Sequence, residues 1–319
     1  MSATTPTPND QWLRKCSLIV GAPDGRTLDL SEFKISFHVS QSDVLTPNTL
    51  RCKVYNVATA TTTLITKEFT TVLLQAGYVT GNYGFIFRGT IVQTMVGADN
   101  AVDHFIEIFA ADGDQALNFG ITNVTLAPGA TIASAQAAVA QAMAAADPTF
   151  TGGSPTGATG GILPRGKVLF GLSRDHLHTL GLTAGGRYSV QSGRLVFIPD
   201  TGYLPGDIVK LNAGTGLIGI PRTTEGGVEM TALLNPNIIV GQRVQIENKQ
   251  LNTVNNRGTP QPSYQNPFGG MFASTAADGI YRVMVHEFEG DTRGNPWYSH
   301  LVCLSVNPSA APSAAVALT

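Results

Sequence analysis

Between positions 33 and 55 apolar residues recur at every second place, and that period decides what this chain can become. Phe33, Ile35, Phe37 and Val39 alternate with Lys34, Ser36, His38 and Ser40. Successive side chains of an extended chain point to opposite faces, so the segment reads as a strand with one buried and one wet face. Pro47-Asn48 turns the chain, and Leu50, Cys52 and Val54 then alternate with Arg51, Lys53 and Tyr55. Further strands are predicted at 13–20, 72–78, 85–92 and 102–110. Turns at Pro23-Asp24-Gly25, Thr80-Gly81-Asn82 and Gly97-Ala98-Asp99-Asn100 separate them. Short strands at this spacing predict a sandwich or a barrel. The Thr-rich stretch 58–68 breaks the alternation and reads as a short helix or a loop.

The middle of the chain changes period. Residues 131–146 are dominated by alanine, the best helix former, with Thr131 as N-cap and Asp147-Pro148 as the stop. Ile132, Gln136, Val139 and Met143 fall on one stripe, which predicts docking by a narrow face. Residues 151–161 are rich in Gly, Ser, Thr and Pro and predict a flexible loop. A short helix over 173–181 offers Leu177 and Leu180 to a core. A hairpin follows, 188–190 with 195–197, around Gln191-Ser192-Gly193.

Strands return in the last third. Residues 216–249 read as two short strands, a corner at Asn235-Pro236, and a third strand entered at Gly241. Asp278-Gly279 leads into a strand over 280–286, 290–294 makes a turn, and 297–306 forms the last strand. The expectation is a mainly β (α+β) chain with a first β-domain at 12–125, a small α/β module at 126–205 and a second β-domain at 206–308. Residues 1–11 and the tail 309–319 are expected to be disordered, and the polar insertion 250–277 to be a surface loop.

Charge narrows the function classes. Charged residues make up 13% of the chain, about half the usual ~25% share, and the net charge is -2 with no run of Lys or Arg. Tight nucleic-acid binding needs a concentrated cationic face, and the chain lacks one. No apolar run approaches the ~20 residues of a membrane span, and the N-terminus has neither the apolar stretch nor the basic start of a signal peptide. A soluble, cytosol-made protein without membrane insertion is expected. Low charge beside many Thr, Asn, Gln and Gly suggests polar surface that does not simply face solvent, and intersubunit contact is one explanation.

No motif carries chemistry. The segment 161–167, Gly161 to Lys167, has the spacing of a phosphate loop, but Val168 stands where Ser or Thr would hold magnesium, and a strand-like run follows instead of a helix. His176 and His178 lie on different faces of a helix, without a completing Cys or carboxylate pattern. His286-Glu287 lacks the second His of a zinc protease, Gly290 standing in its place. Asp112-Gly113-Asp114 lacks the wider spacing of a calcium loop and reads as a turn closing the first domain. Gly171-Leu172-Ser173 lacks the second glycine of a nucleophile elbow, where Asp175 stands, so Ser173 reads as a helix cap. Cys16, Cys52 and Cys303 have no metal spacing and read as buried free thiols. No catalytic residue, cofactor-binding residue or metal ligand is expected, and no cofactor.

The order of β-domain, α/β insertion and second β-domain resembles the baseplate hub proteins of contractile-tailed bacteriophages, which are related to the hub part of type VI secretion spike proteins. The residues that carry the resemblance are Gly216-Leu217-Ile218-Gly219-Ile220-Pro221, Leu233-Leu234-Asn235-Pro236, Gly241-Gln242-Arg243-Val244 and Asp278-Gly279-Ile280-Tyr281-Arg282-Val283. His286, Gly290-Asp291-Thr292 and Trp297 complete that set. In the first domain Gln75-Ala76-Gly77-Tyr78, Gly81-Asn82-Tyr83-Gly84 and Ala110-Ala111-Asp112-Gly113-Asp114 look like such tail proteins too. The resemblance implies two tail-tube-like antiparallel β-barrel domains per subunit, and a homotrimer whose pseudo-hexameric ring joins the six-fold tail tube to the three-fold central spike. It implies a separate spike protein, a tail tube or distal tail protein, tape measure protein and other baseplate proteins as partners. DNA passes only as cargo, and the place is the virion, after assembly in the host cytoplasm. The α/β module of such folds can interrupt a barrel. The competing readings are another tail-tube or baseplate component, a tail-associated cell-wall hydrolase, or a glycan-binding β-protein; no convergent carboxylates or exposed aromatic rows point to the last two.

Charge also bears on a channel. Residues 1–125 carry eight basic against eleven acidic residues, 126–205 five against three, and 206–319 seven against eight. A conduit for DNA must not hold it, so the inner wall of such a ring is expected to be neutral or acidic. Arg51, Lys53, Arg243 and Arg282 are read as lying on polar strand faces, and are expected to be paired or to face partner proteins.

Overall fold

The computed structural model describes residues 11, 13–147, 149–156, 161–224, 227–247 and 278–305. The insertion 250–277 and both expected disordered ends, apart from Gln11, lie outside them. The alternating first third folds as β1 (Arg14–Gly21), β2 (Thr27–Asp29), β3 (Ile35–Ser42), β4 (Asn48–Tyr55), helix α1 (Thr59–Glu68), β5 (Thr71–Tyr78), β6 (Tyr83–Ala98) and β7 (His104–Asp112). The middle gives α2 (Asp114–Phe119), β8 (Ile121–Leu126), α3 (Ile132–Ala146), β9 (Thr151–Thr156), β10 (Lys167–Leu172), α4 (Ser173–Ala184), β11 (Gly186–Gln191) and β12 (Arg194–Pro199). Last come β13 (Val209–Leu211), β14 (Leu217–Thr224), β15 (Gly227–Leu233), β16 (Arg243–Glu247), β17 (Asp278–Asp291) and β18 (Trp297–Ser305).

The protein is mainly β, and its largest sheet is antiparallel along its whole path. Its order is β14-β15-β18-β17-β3-β4-β7-β6-β5-β1-β2. β16 joins β17, and β13 adds to β16 in parallel. β17 is the joint: Asp278 to Arg282 pair with β16, Val285 to Asp291 pair with β3, and β18 pairs with Tyr281 to Gly290. Because one strand serves both regions, the sheet stays continuous. No closed barrel forms among the described residues, and β2 and β14 end the path unpaired with each other.

Three cores result. The first holds the inward residues of the alternation, Ile35, Phe37, Val39, Leu50, Cys52 and Val54, and reaches across β17 for Leu234, Phe288 and Trp297. The second packs α3 by the expected stripe of Ile132, Gln136, Val139 and Met143 against Leu177, Leu180 and the β11–β12 hairpin. The third lies under β15 to β18. Cys52 and Cys303 are buried, while Cys16 is only partly so. Burial pushes the Cys16 thiol up to about 12.

Several local expectations need correcting. Residues 151–156 form a strand beside β12 rather than a loop, since parallel pairing there needs no alternation in sequence. Ser173 does not cap α4. Leu172 is the cap residue, and the buried Ser173 hydroxyl bonds Thr122 Oγ1 at 2.8 Å. α4 runs three residues past the expected end, to Ala184, and Gly185 closes it with φ 72°. β6 runs on through Ala98, a position expected to turn. β2, β8 and β13 had no recognised signal, each being short or polar in alternation.

Candidate interaction surfaces

The residues weighed for chemistry are dispersed. Lys167 opens a strand and the next helix starts only at Ser173, so the phosphate-loop spacing has no helix N-terminus behind it. His178 is exposed on α4, and the buried Nε2 of His176 has no hydrogen-bond partner. Glu287 points away from His286, as the alternation of β17 demands, and approaches His38 at 3.9 Å. Among the described residues no three His, Cys, Asp or Glu side chains come together to hold a metal.

Asp112 has a structural role. It ends β7, Gly113 reverses the chain with φ 69°, and its buried Oδ1 accepts the Gly193 N–H at 2.8 Å. Burial pushes its carboxyl up to about 7, opposed by the Gly193 and Ser192 N–H groups. Around it Asn48 Nδ2 donates to the Val190 carbonyl at 2.7 Å, and Gln191 Nε2 donates to the Ser42 carbonyl at 2.9 Å. This polar seam ties the β11–β12 hairpin to the large sheet.

The four cations singled out are engaged within the chain. Arg51 Nε meets the buried Glu107 at 2.5 Å. Lys53 Nζ lies 3.6 Å from Asp99 and 4.1 Å from the centre of the Phe105 ring. Arg243 stacks over Tyr203 at 4.0 Å. Arg282 is a correction: it is buried, not on a polar face. Its Nη1 donates to the carbonyls of Pro199 (2.6 Å), Gly202 (3.0 Å) and Asp200 (3.2 Å). Its Nη2 lies 3.8 Å from Asp43, which Arg187 approaches at 3.8 Å from the other side. Burial pushes the Asp43 carboxyl up, against the pull of the two guanidiniums.

His286 is the other buried polar group of β17. Its Nδ1–H donates to the Ile238 carbonyl at 3.0 Å and its ring stacks on Phe288 at 3.8 Å. Complete burial pushes its pKa down to about 3. The ring is therefore neutral when folded and takes a proton near pH 6.5 when unfolded. Its contribution to stability is complete above about pH 6.5 and is lost as pH falls toward 3, by about 1.4 kcal/mol per pH unit. Replacing His286 with Asn, whose amide can keep the bond to Ile238, is expected to flatten acid unfolding by about one proton. Urea titrations from pH 7 to 4 on both proteins check this. Parallel pH profiles would show that His286 does not titrate.

Among the described residues a groove of about 630 Å³ lies beside β14, whose pairing with β15 is irregular between Ile218 and Arg222. It is lined by Ile218, Ile220, Arg222, Glu229, Thr231 and His300, among others. Thr231 Oγ1 sits 3.2 Å from His300 Nδ1, and Glu289 3.5 Å from His300 Nε2. These are cross-strand rows on an open sheet face. The groove shows no built pair of donors for an oxyanion and no enclosure to exclude water.

Open edges are the more telling feature. Among the described residues β2 and β14 end the sheet, and β13 pairs only with β16. β6 loses its β5 partner after Thr90 and continues paired to β7 alone. Val96 lies opposite the buried Ile106 yet is 62% exposed, so β6 carries apolar side chains in the open beyond the core. Unpaired edges invite pairing with another chain.

No protein-family model matches this sequence, and no curated protein does. Solved structures do match. A tail protein from Neisseria meningitidis MC58 aligns with a TM-score of 0.58 at 10% identity, covering 94% of this chain and 100% of that one. The 43 kDa tail protein of prophage MuSo2 from Shewanella oneidensis aligns at 0.57 and 9% identity, covering 94% and 99%. A type VI secretion system component of E. coli, which exhibits structural similarity to the T4 bacteriophage tail proteins gp27 and gp5, aligns at 0.50 and 8%, covering 88% and 76%. The chain has the fold of these tail proteins.

Proposed function

We propose that this chain is a structural protein of a phage-type tail, and specifically the baseplate hub. Three copies form a ring that joins a six-fold tube to a three-fold spike and encloses the channel for tape measure and DNA. Each subunit contributes two barrel-like units, one around the first core and one around the third, with the α/β module set between them. Neighbouring copies complete the edges that a single copy leaves open. The observation that carries this reading is the continuous sheet with free edges at β2, β14 and the end of β6, in a fold shared with tail proteins. The chain performs no catalysis in this role, and its place is the virion.

The channel acts passively. Arg51, Lys53, Arg243 and Arg282 are each held by a carboxylate, a ring or backbone carbonyls, which leaves them poorly placed to grip phosphate. Electron microscopy of the purified protein is expected to show rings with an open centre. Gel filtration with duplex DNA at physiological salt is expected to show no co-elution. Rings without a hole contradict the hub role, whereas DNA retained at that salt contradicts only the passive channel.

A further inference from the structure

β8 and β10 form a two-stranded ribbon with one covered and one bare face. Leu169 and Thr122 turn inward and are buried, Leu169 within the core that α3 also builds. On the outer face Ile121 lies opposite Leu172, Asn123 opposite Phe170 and Thr125 opposite Val168. There Phe170 is 72% exposed, Val168 66% and Ile121 63%, and Phe119, two residues upstream, is 71% exposed. Gly120 alone separates Phe119, the last residue of α2, from Ile121, the first of β8. Among the described residues each strand pairs only with the other, so the second edge of each has no strand partner there.

The stretch of chain that builds the ribbon carries little charge of its own, with Asp114 on one side and the exposed Arg174 and Asp175 on the other. From Gln115 to Ser173 the only charged residues are Asp147, Arg165 and Lys167, and Asp147 is fully buried. Solvated surface normally carries far more charge, whereas the centre of an interface is depleted of it and enriched in aromatic rings. The two remaining charges are both positive and sit at the start of β10. With an aromatic ring worth roughly 150–250 Å² and a branched aliphatic somewhat less, the four apolar side chains present on the order of 400 Å². That is about half of the ~800 Å² each partner gives to a standard interface, the remainder being available from those two strand edges.

We infer that the β8–β10 ribbon docks an extended segment of a partner protein that carries alternating apolar residues and carboxylates. The segment adds a strand to one edge, lays its apolar side chains against Phe170 and Val168, and brings its carboxylates to Arg165 and Lys167. Pairing of two identical ribbons is disfavoured, since the ribbon holds no carboxylate to meet its own cations. This inference rests on the ribbon and not on the hub reading.

The test titrates the full chain with labelled peptides of about ten residues, one alternating valine with glutamate and one alternating valine with lysine. The glutamate peptide is expected to bind about tenfold or more tightly than the lysine peptide, and to weaken as salt rises from about 0.1 to about 0.5 M. The double change Val168→Ser with Phe170→Ser is expected to weaken it about tenfold, with thermal stability held because both side chains face outward. Arg165→Glu with Lys167→Glu is expected to reverse the preference between peptides. Absence of binding, equal binding of the two peptides, or binding indifferent to the serine changes overturns the inference. A serine variant that loses self-association shows that a second copy covers the ribbon, which overturns it as well.

Discussion

Replacing Arg282 with methionine is expected to cost about 3–5 kcal/mol, because it strips charge and hydrogen bonds from a site that keeps its other charges buried. Three carbonyls, those of Pro199, Asp200 and Gly202, lose their donor, and Asp43 keeps only Arg187. Asp43 already has its carboxyl pushed up by burial, so the loss of one guanidinium drives it further toward the neutral acid. Arg282 lies on β17, Asp43 just after β3, and the three carbonyls at the end of β12 and on the turn after it. The variant therefore loosens the joint between the large sheet and the module. Amide exchange is expected to speed up around 199–202 while protection of β3 to β5 persists. The added change Asp43→Asn is expected to restore part of the loss, since it removes the stranded carboxylate. A midpoint unchanged in Arg282→Met would show that the cluster carries no stability.

Truncating Trp297 to alanine is the second large effect expected, about 3–5 kcal/mol from lost burial and the cavity left behind. Trp297 is buried, meets Phe37 edge-on at 5.5 Å, and lies beneath Arg14 at 5.5 Å. Arg14 in turn donates to the carbonyls of Asp291, Gly294 and Asn295, so the ring anchors the β17–β18 turn to β1. The indole N–H has no partner. Trp297→Phe removes that unpaired donor while keeping most of the ring, and is expected to cost less than about 1.5 kcal/mol. Denaturant titrations of both variants decide this, and equal losses would show that a phenyl ring does not hold the site.

The legible parts of the fold are those where one face of an element is buried and the other is wet. Ile35 to Val39 and Leu50 to Val54 announced β3 and β4 by period alone, and the alanine run with Thr131 announced α3 and its cap, whose hydroxyl accepts the Ser134 N–H at 3.1 Å. Elements stabilised from elsewhere gave no such signal. β2 is three residues held by β1, and β13 three held by β16. The joining of the sheets was beyond local reading, because β17 pairs with β3 across more than two hundred residues of sequence. Arg282 looked like a solvent-facing residue. What draws it inward is a set of carbonyls some eighty residues away, which no spacing rule records. The ribbon's bare face had a readable sign in its long uncharged stretch, but only the register of β8 with β10 brings Ile121, Val168 and Phe170 to one side.

The hub reading stands or falls on assembly. Mass photometry of the purified chain at micromolar and lower concentration measures it most directly. The account predicts a species near 100 kDa, three times the 33.5 kDa chain, persisting on dilution because obligate interfaces bury more than ~2,000 Å². A clean 33.5 kDa monomer that keeps full thermal stability contradicts it.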